Sequence, residues 1–190
     1  MSHSSFDDQT YTNIDFTKNG LPEGEYNNCT FENCNLESIN LNNRQFSECI
    51  FTNCNLSNAS IEQAAFRAVR LNDCKLLGLR FDTCNHFIFS VGFTNCLLNL
   101  TSFYKCKMKK TIFRNCSLQE VDFVEADLTQ AVFDNCDLSS AIFGNTILEK
   151  ADFTTAYNFT INPANNRIKK AKFATASLAG LLSSYDIVIV

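Results

Sequence analysis

Every fifth residue of this chain is apolar, and most of these residues are Phe or Leu. From Phe31 the run reads Leu36, Leu41, Phe46, Phe51, Leu56, Ile61, Phe66, Leu71, Leu76 and Phe81. It slips by two residues and resumes as Phe93, Leu98, Phe103, Met108, Phe113, Leu118, Phe123, Leu128, Phe133, Leu138, Phe143, Leu148 and Phe153. Phe6, Tyr11, Phe16, Leu21 and Tyr26 carry the first register back towards the N-terminus. Fifteen of the 18 phenylalanines stand in one register or the other. Two residues before each centre the side chain is mostly small. All 10 cysteines occupy that position, with Cys84 in a unit centred on His86 beside the slip.

A period of five fits neither the 3.6-residue helix nor the plain alternation of a strand. It fits a short strand followed by a corner. The small residue and the centre are two apart and point to the same side. The residue between them points outward, and the last two turn the chain. Repetition of this unit winds a β-solenoid around one apolar axis. A second period fixes the number of sides: Phe31-Leu36-Leu41-Phe46 recurs twenty residues later as Phe51-Leu56-Ile61-Phe66. Allowing for the slip, one column reads Leu36, Leu56, Leu76, Leu98, Leu118 and Leu138. The small positions beside it read Cys34, Cys54, Cys74, Cys96, Cys116 and Cys136. Four units therefore close a turn. Residues 4–173 make about eight coils, a rod roughly 40 Å long at about 4.8 Å per stacked strand. The expected core is these two columns together with Phe31, Phe51, Phe93, Phe113, Phe133 and Phe153.

The unit small–polar–Phe/Leu–polar–polar, as in Cys29-Thr30-Phe31-Glu32-Asn33 and Ala151-Asp152-Phe153-Thr154-Thr155, resembles the pentapeptide-repeat proteins over nearly the whole chain. The resemblance implies an all-β fold, a right-handed quadrilateral β-helix, over residues 1–173. Its register breaks at 82–92, where two extra residues put Phe87 and Phe89 off the pattern.

Residues 174–190 form a second segment. Within it, 175–184 read as a short helix with Leu178, Leu181 and Leu182 on one face. Asp186-Ile187-Val188-Ile189-Val190 reads as an apolar strand. A solenoid end exposes unpaired backbone and must be covered. These elements serve as a cap or as the contact of a symmetric dimer. The tail resembles that of the quinolone-resistance (Qnr) group. There the final coil, helix and strand build a head-to-head dimer, which implies a homodimer here through Leu178, Leu181, Leu182, Ile187, Val188 and Ile189.

Composition narrows the function. With 2 His, no Gly-rich phosphate loop and no nucleophile elbow, no catalytic constellation emerges, and a non-enzymatic protein without cofactor or metal is expected. The C-x4-C spacing of Cys29/Cys34 is not that of a zinc knuckle. Stacked cysteines point their side chains parallel rather than at one another, so buried free thiols filling inner corners are expected. No apolar run approaches a membrane span, and the start Met1-Ser2-His3-Ser4-Ser5 lacks a basic region followed by an apolar core. A cytoplasmic location and no membrane partner are expected.

The net charge of −4 argues against a direct nucleic-acid binder. Residues 1–62 carry nine acids and two bases, and 115–149 carry seven acids and no base. Between them lie Lys105, Lys107, Lys109, Lys110 and Arg114, and the tail adds Arg167, Lys169, Lys170 and Lys172. Glu62, Asp82, Glu120, Asp122 and Glu125 are placed on one wall as an acidic line. With Phe87 and Phe89 they are the expected partner contacts. Two functions remain open. One is a DNA-mimic-like protein that binds DNA gyrase or topoisomerase IV and gives quinolone protection, which rests on the Qnr resemblance and the acidic line. The other is a general interaction scaffold with a different partner.

Overall fold

The computed structural model describes residues 4–185, 187 and 188. The chain winds as a parallel four-walled β-solenoid. On the first wall, strands Ser5–Asp7, Glu25–Asn27, Gln45–Ser47 and Ala65–Arg67 form a four-stranded parallel sheet. The second wall is a nine-stranded parallel sheet running from Thr10–Thr12 to Lys172–Phe173. Nine strands make eight steps of about 4.8 Å, so the rod is about 38 Å long. The third and fourth walls are held by single bridges, such as Asn35 to Asn55 and Ser102 to Asp122.

The register is twenty residues per coil on both sides of the break, with Phe31 opposite Phe51 and Phe113 opposite Phe133. Across the break it is twenty-two, with Leu71 opposite Phe93. Like side chains therefore stack. Phe31 and Phe51 lie 4.5 Å apart with rings 4° from parallel, and Phe133 and Phe153 lie 4.6 Å apart. Rings in adjacent columns meet edge-on, as Phe46 and Phe51 do at 5.6 Å and 71°. Both geometries suit the ring quadrupole. The partner of the second-wall column changes along the rod. Before the break it is the first-wall column Phe6, Tyr26, Phe46 and Phe66, and after it the fourth-wall column Phe81, Phe103, Phe123 and Phe143. Phe93, Phe113, Leu36, Leu56, Leu76, Leu98, Leu118, Leu138 and the cysteine column from Cys34 to Cys136 are all buried.

The corners use a conformation that the composition disguises. The residue two after each centre is left-handed in nearly every unit, as at Asn33 (φ 54°), Asn53 (φ 52°) and Asn115 (φ 52°). Glycine is the usual occupant of that region, but asparagine tolerates it, and asparagine is common at this site. The small inner position also has a polar duty. Cys54 Sγ lies 3.4 Å from the Phe31 carbonyl, Cys136 Sγ lies 3.4 Å from that of Phe113, and Thr146 Oγ1 donates to that of Phe123 at 2.9 Å. The side chain thus reaches the centre's carbonyl in the coil before.

The C-terminal segment departs from the sequence reading. Residues 175–185 form two 3-10 turns, Thr175–Ser177 and Ser183–Tyr185, around a single α-turn, Ala179–Leu182. Gly180 sits so close to Phe159 that a Cβ would lie 2.3 Å from its carbonyl oxygen, and the Gly180 carbonyl accepts from Ile161 N at 2.9 Å. Of the expected apolar face only Leu181 packs on the core, whereas Leu178 and Leu182 are exposed. A turn this short cannot align all three on one side. Ile187 and Val188 lie in no strand and are exposed. A strand needs a neighbouring edge to pair with, and these two residues pair with none among the described residues. Ile189 lies outside the described residues.

Thr146→Val keeps the shape of the side chain and removes the donor to Phe123. It is expected to cost about 1–3 kcal/mol in denaturant unfolding, and Thr146→Cys less. Equal stability for all three proteins would contradict the polar role of the inner position.

Candidate functional site

The inner thiols are packing and hydrogen-bonding groups. All ten cysteines are free and buried. Burial pushes the Cys106 thiol up to about 12, and the Cys49 thiol likewise to about 12. Neither forms a thiolate at neutral pH, so neither is a nucleophile. No group of three or more His, Cys, Asp or Glu is placed to hold a metal among the described residues. No described helix is long and apolar enough to cross a membrane.

The break is the one place where the smooth first wall is interrupted among the described residues. Two 3-10 turns, Phe81–Thr83 and His86–Ile88, absorb the extra residues. Asn85 Oδ1 accepts from Phe87 N at 3.0 Å and starts the second turn. His86 stands where the first-wall column calls for a ring. Its Nε2 lies 3.0 Å from the Asp82 carbonyl, and its buried Nδ1 has no partner. The expected pair of aromatic contacts separates. Phe87 is 90% exposed beside Ala65 and Arg67. Phe89 turns inward, 5.7 Å from Phe81 and 6.5 Å from Phe66. It fills the space that His86 leaves and packs, partly buried, against the core.

The expected acidic line is also broken up. Asp82 and Asp122 flank the fourth-wall centres in different columns, with Arg80 in the column of Asp122. Arg80 Nε donates to Asp82 at 3.1 Å. Glu125 at the next corner lies 3.5 Å from Lys105 Nζ. Glu62 and Glu120 are exposed, with Glu120 at a corner rather than on the wall. The cause is the stacking itself, which brings residues about one coil apart into contact and pairs acids with bases from neighbouring coils. Arg114 meets Asp134 at 3.1 Å, Lys172 meets Asp152 at 2.9 Å, Lys109 meets Asp127 at 3.3 Å, and Arg167 meets Glu149 at 2.6 Å. Of the seven acids in 115–149, four are paired with a base in this way: Glu125, Asp127, Asp134 and Glu149.

The first three coils are different. Asp7, Asp8, Glu23, Glu25, Glu32, Glu37, Glu48 and Glu62 make no ion pair among the described residues, and only Asp15 has a base, Lys18, within 3.6 Å. The other base here, Arg44, is buried and spends its guanidinium on carbonyls, with Nε 3.1 Å from the Leu21 oxygen. The densest group of unpaired acids therefore lies at the N-terminal end, a concentration that the sequence offers as nine acids against two bases in 1–62.

A family model described as a pentapeptide repeat region matches residues 24–86 and 86–180. No curated protein matches the chain in sequence. Among solved structures, the chain is similar to HetL, a pentapeptide repeat protein involved in heterocyst differentiation regulation from the cyanobacterium Nostoc sp. strain PCC 7120. The two are 19% identical, with 98% of this chain and 92% of that chain covered and a TM-score of 0.64. A trypsin-treated form of QnrB1, a plasmid-mediated fluoroquinolone resistance protein, is also 19% identical. It covers 98% of this chain and 92% of its own, with a TM-score of 0.53. At these identities the likeness shows the fold.

The ion pairs make stability depend on pH. Burial alone raises the Asp82 pKa, but hydrogen bonds from Arg80 and Ser102 outweigh it and hold the carboxyl below its ordinary value. Asp127 and Asp152 are lowered against the same opposing burial, by Thr129 with Lys109 and by Thr154 with Lys172. A lowered folded pKa contributes stability that is present above the unfolded value and lost as pH falls through the folded one. Unfolding free energy should be level above about pH 5 and decline below about pH 4. Arg80→Gln should move the acid midpoint upward by roughly half a pH unit. An unchanged midpoint would contradict the assignment.

Proposed function

Since the chain belongs to the pentapeptide-repeat family, we propose that it acts without catalysis, as a rod that binds DNA gyrase or topoisomerase IV on its acidic N-terminal coils and gives protection from quinolones. The observation that carries this reading is local charge density. Three coils span about 14 Å, over which duplex DNA carries about eight phosphates at one per 1.7 Å. The first three coils carry nine carboxylates against one exposed base, Lys18. Averaged over the chain, a net −4 is far too sparse to imitate DNA. Concentrated at one end, the charge suits a protein saddle built for a duplex. The similarity to QnrB1 supports the same reading. At the other end, exposed Leu178, Leu182, Ile187 and Val188 suit a head-to-head homodimer.

A second reading is a scaffold with an unrelated partner. The coils after the break favour it, because acids and bases are mixed there, several of them in pairs, and no run of negative charge imitates a duplex.

The test is supercoiling by purified gyrase from the source organism in ciprofloxacin, titrated with this protein. Rescue at low protein is expected. The variant Glu32→Lys/Glu37→Lys/Glu62→Lys should require at least about tenfold more protein. No rescue at protein well above the gyrase concentration would leave the scaffold reading.

A further inference from the structure

The first wall is electrically two-faced along its length. Before the break its outward residues include Asp7, Asp8, Glu25 and Glu48, with one base, Arg67, in the last row. After the break it carries Lys107, Lys109, Lys110, Lys150, Arg167, Lys169 and Lys170 against Asp127 and Glu149. Both of those acids are already satisfied within the wall, by Lys109 at 3.3 Å and Arg167 at 2.6 Å. Lys107, Lys110, Lys150, Lys169 and Lys170 make no ion pair among the described residues, and neither do the four acids of the other half. The break divides the wall evenly, with rows at Ser5, Glu25, Gln45 and Ala65 before it and at Lys107, Asp127, Ile147 and Arg167 after it.

We propose that this wall is a self-complementary interface on which a second copy of the chain docks antiparallel, about a two-fold axis through the break. The inference goes beyond the topoisomerase reading and uses a different surface from the C-terminal end. A two-fold lying in the interface and perpendicular to the rods reverses the row order and keeps each column on itself. The outermost acids Asp7 and Asp8 then meet Lys169 and Lys170 of the second copy. Glu48 meets the row of Gln130, between Lys110 and Lys150. Phe87, 90% exposed in the middle row, falls beside the axis and meets its own counterpart. An isologous contact of this kind puts the same residue on itself at the centre and opposite charges at both ends. The row of Arg67 meets that of Lys109, where Asp127 lies alongside. The wall measures about 38 Å by about 16 Å, or roughly 600 Å² per copy. The total of about 1,200 Å² is at the lower bound of specific interfaces. A charge-steered dimer that salt weakens fits that size. Asp15, Glu23, Glu32, Glu37 and Glu62 stay clear of the contact for another partner.

The experiment is sedimentation equilibrium of the full chain carrying Val188→Asp, which removes the C-terminal contact from consideration. A dimer is expected at low salt, with its dissociation constant rising at least about tenfold at 0.5 M salt. The reversals Asp7→Lys/Asp8→Lys and Lys169→Glu/Lys170→Glu should each give monomers. Mixed, the two variants should pair with each other, because both ends of a mixed pair are complementary. Phe87→Ser should weaken the dimer without changing the melting temperature. The proposal is overturned if the Val188→Asp protein stays monomeric at low salt and high concentration. It is equally overturned if the dimer survives both reversals, or if the two reversed variants, each with an unchanged melting temperature, fail to pair. A dimer lost with Val188→Asp alone would place the contact at the C-terminal end, and gyrase protection is read separately by supercoiling.

Discussion

On either side of the break each coil sits on the one before with a fixed offset of twenty residues, and three separate interactions demand that same offset. The outward amide of one coil donates to the carbonyl of its neighbour, as Asp122 N does to Thr101 and Asp127 N to Cys106. The central rings stack, as Phe103 does on Phe123 at 5.5 Å. The small inner side chain reaches the central carbonyl of the preceding coil, as Cys74 does that of Phe51 at 3.5 Å. A slip of one unit would rotate every column onto the next wall and misplace all three together. This is why the two extra residues of the break are confined to one wall, and why Phe89 folds in to replace the ring that His86 does not supply.

The same offset governs the surface. Outward side chains form ladders along the rod. Asn135 donates to Asn115 and Asn115 to Asn95, each at 3.0 Å, and Asn95 donates to Asp73 at 2.9 Å. Charges obey the same geometry, so a residue's effective charge depends on what stands about one coil away more than on its neighbours in sequence. After the break, Glu125, Asp127, Asp134, Glu149 and Asp152 are each paired with a base about one coil away. Acids in the first coils have no such bases beside them. A rod of modest net charge thus acquires an acidic end and a first wall that is negative in one half and positive in the other. Both functional readings draw on this polarity.

The coil, its four sides and its core were legible because inward positions tolerate few residue types, and Phe, Leu and Cys recur there at a constant spacing. The corner conformation is written as plainly, in a residue type rather than in hydrophobicity: Asn28, Asn33, Asn53, Asn95, Asn115 and Asn135 each precede a cysteine, and each is left-handed. The ion pairs were legible in principle once the columns were drawn, since Lys105 and Glu125, Arg114 and Asp134, and Asp152 and Lys172 are each twenty apart. Assigning Glu62, Asp82, Glu120, Asp122 and Glu125 to one wall without separating its columns gives an acidic line that Arg80 interrupts. The fates of Phe87 and Phe89 were not legible. Which of two off-register rings turns inward depends on the local turn that Asn85 starts and on the space beside Phe66. The tail resisted for a similar reason, since a four-residue helix carries too little periodicity to fix a face.

The fixed offset is tested most directly by removing one coil. Deletion of residues 113–132 joins Ile112 to Phe133 and leaves every later column on its own wall, with Phe93 stacked on Phe133 as it now stacks on Phe113. Deletion of 113–127 joins Ile112 to Leu128 and moves every later column by one wall. The account predicts that thermal melting of the first variant remains a single cooperative transition with a β-rich circular dichroism spectrum, whereas the second loses cooperativity. Equal tolerance of both deletions, or unfolding of the first with folding of the second, would contradict it.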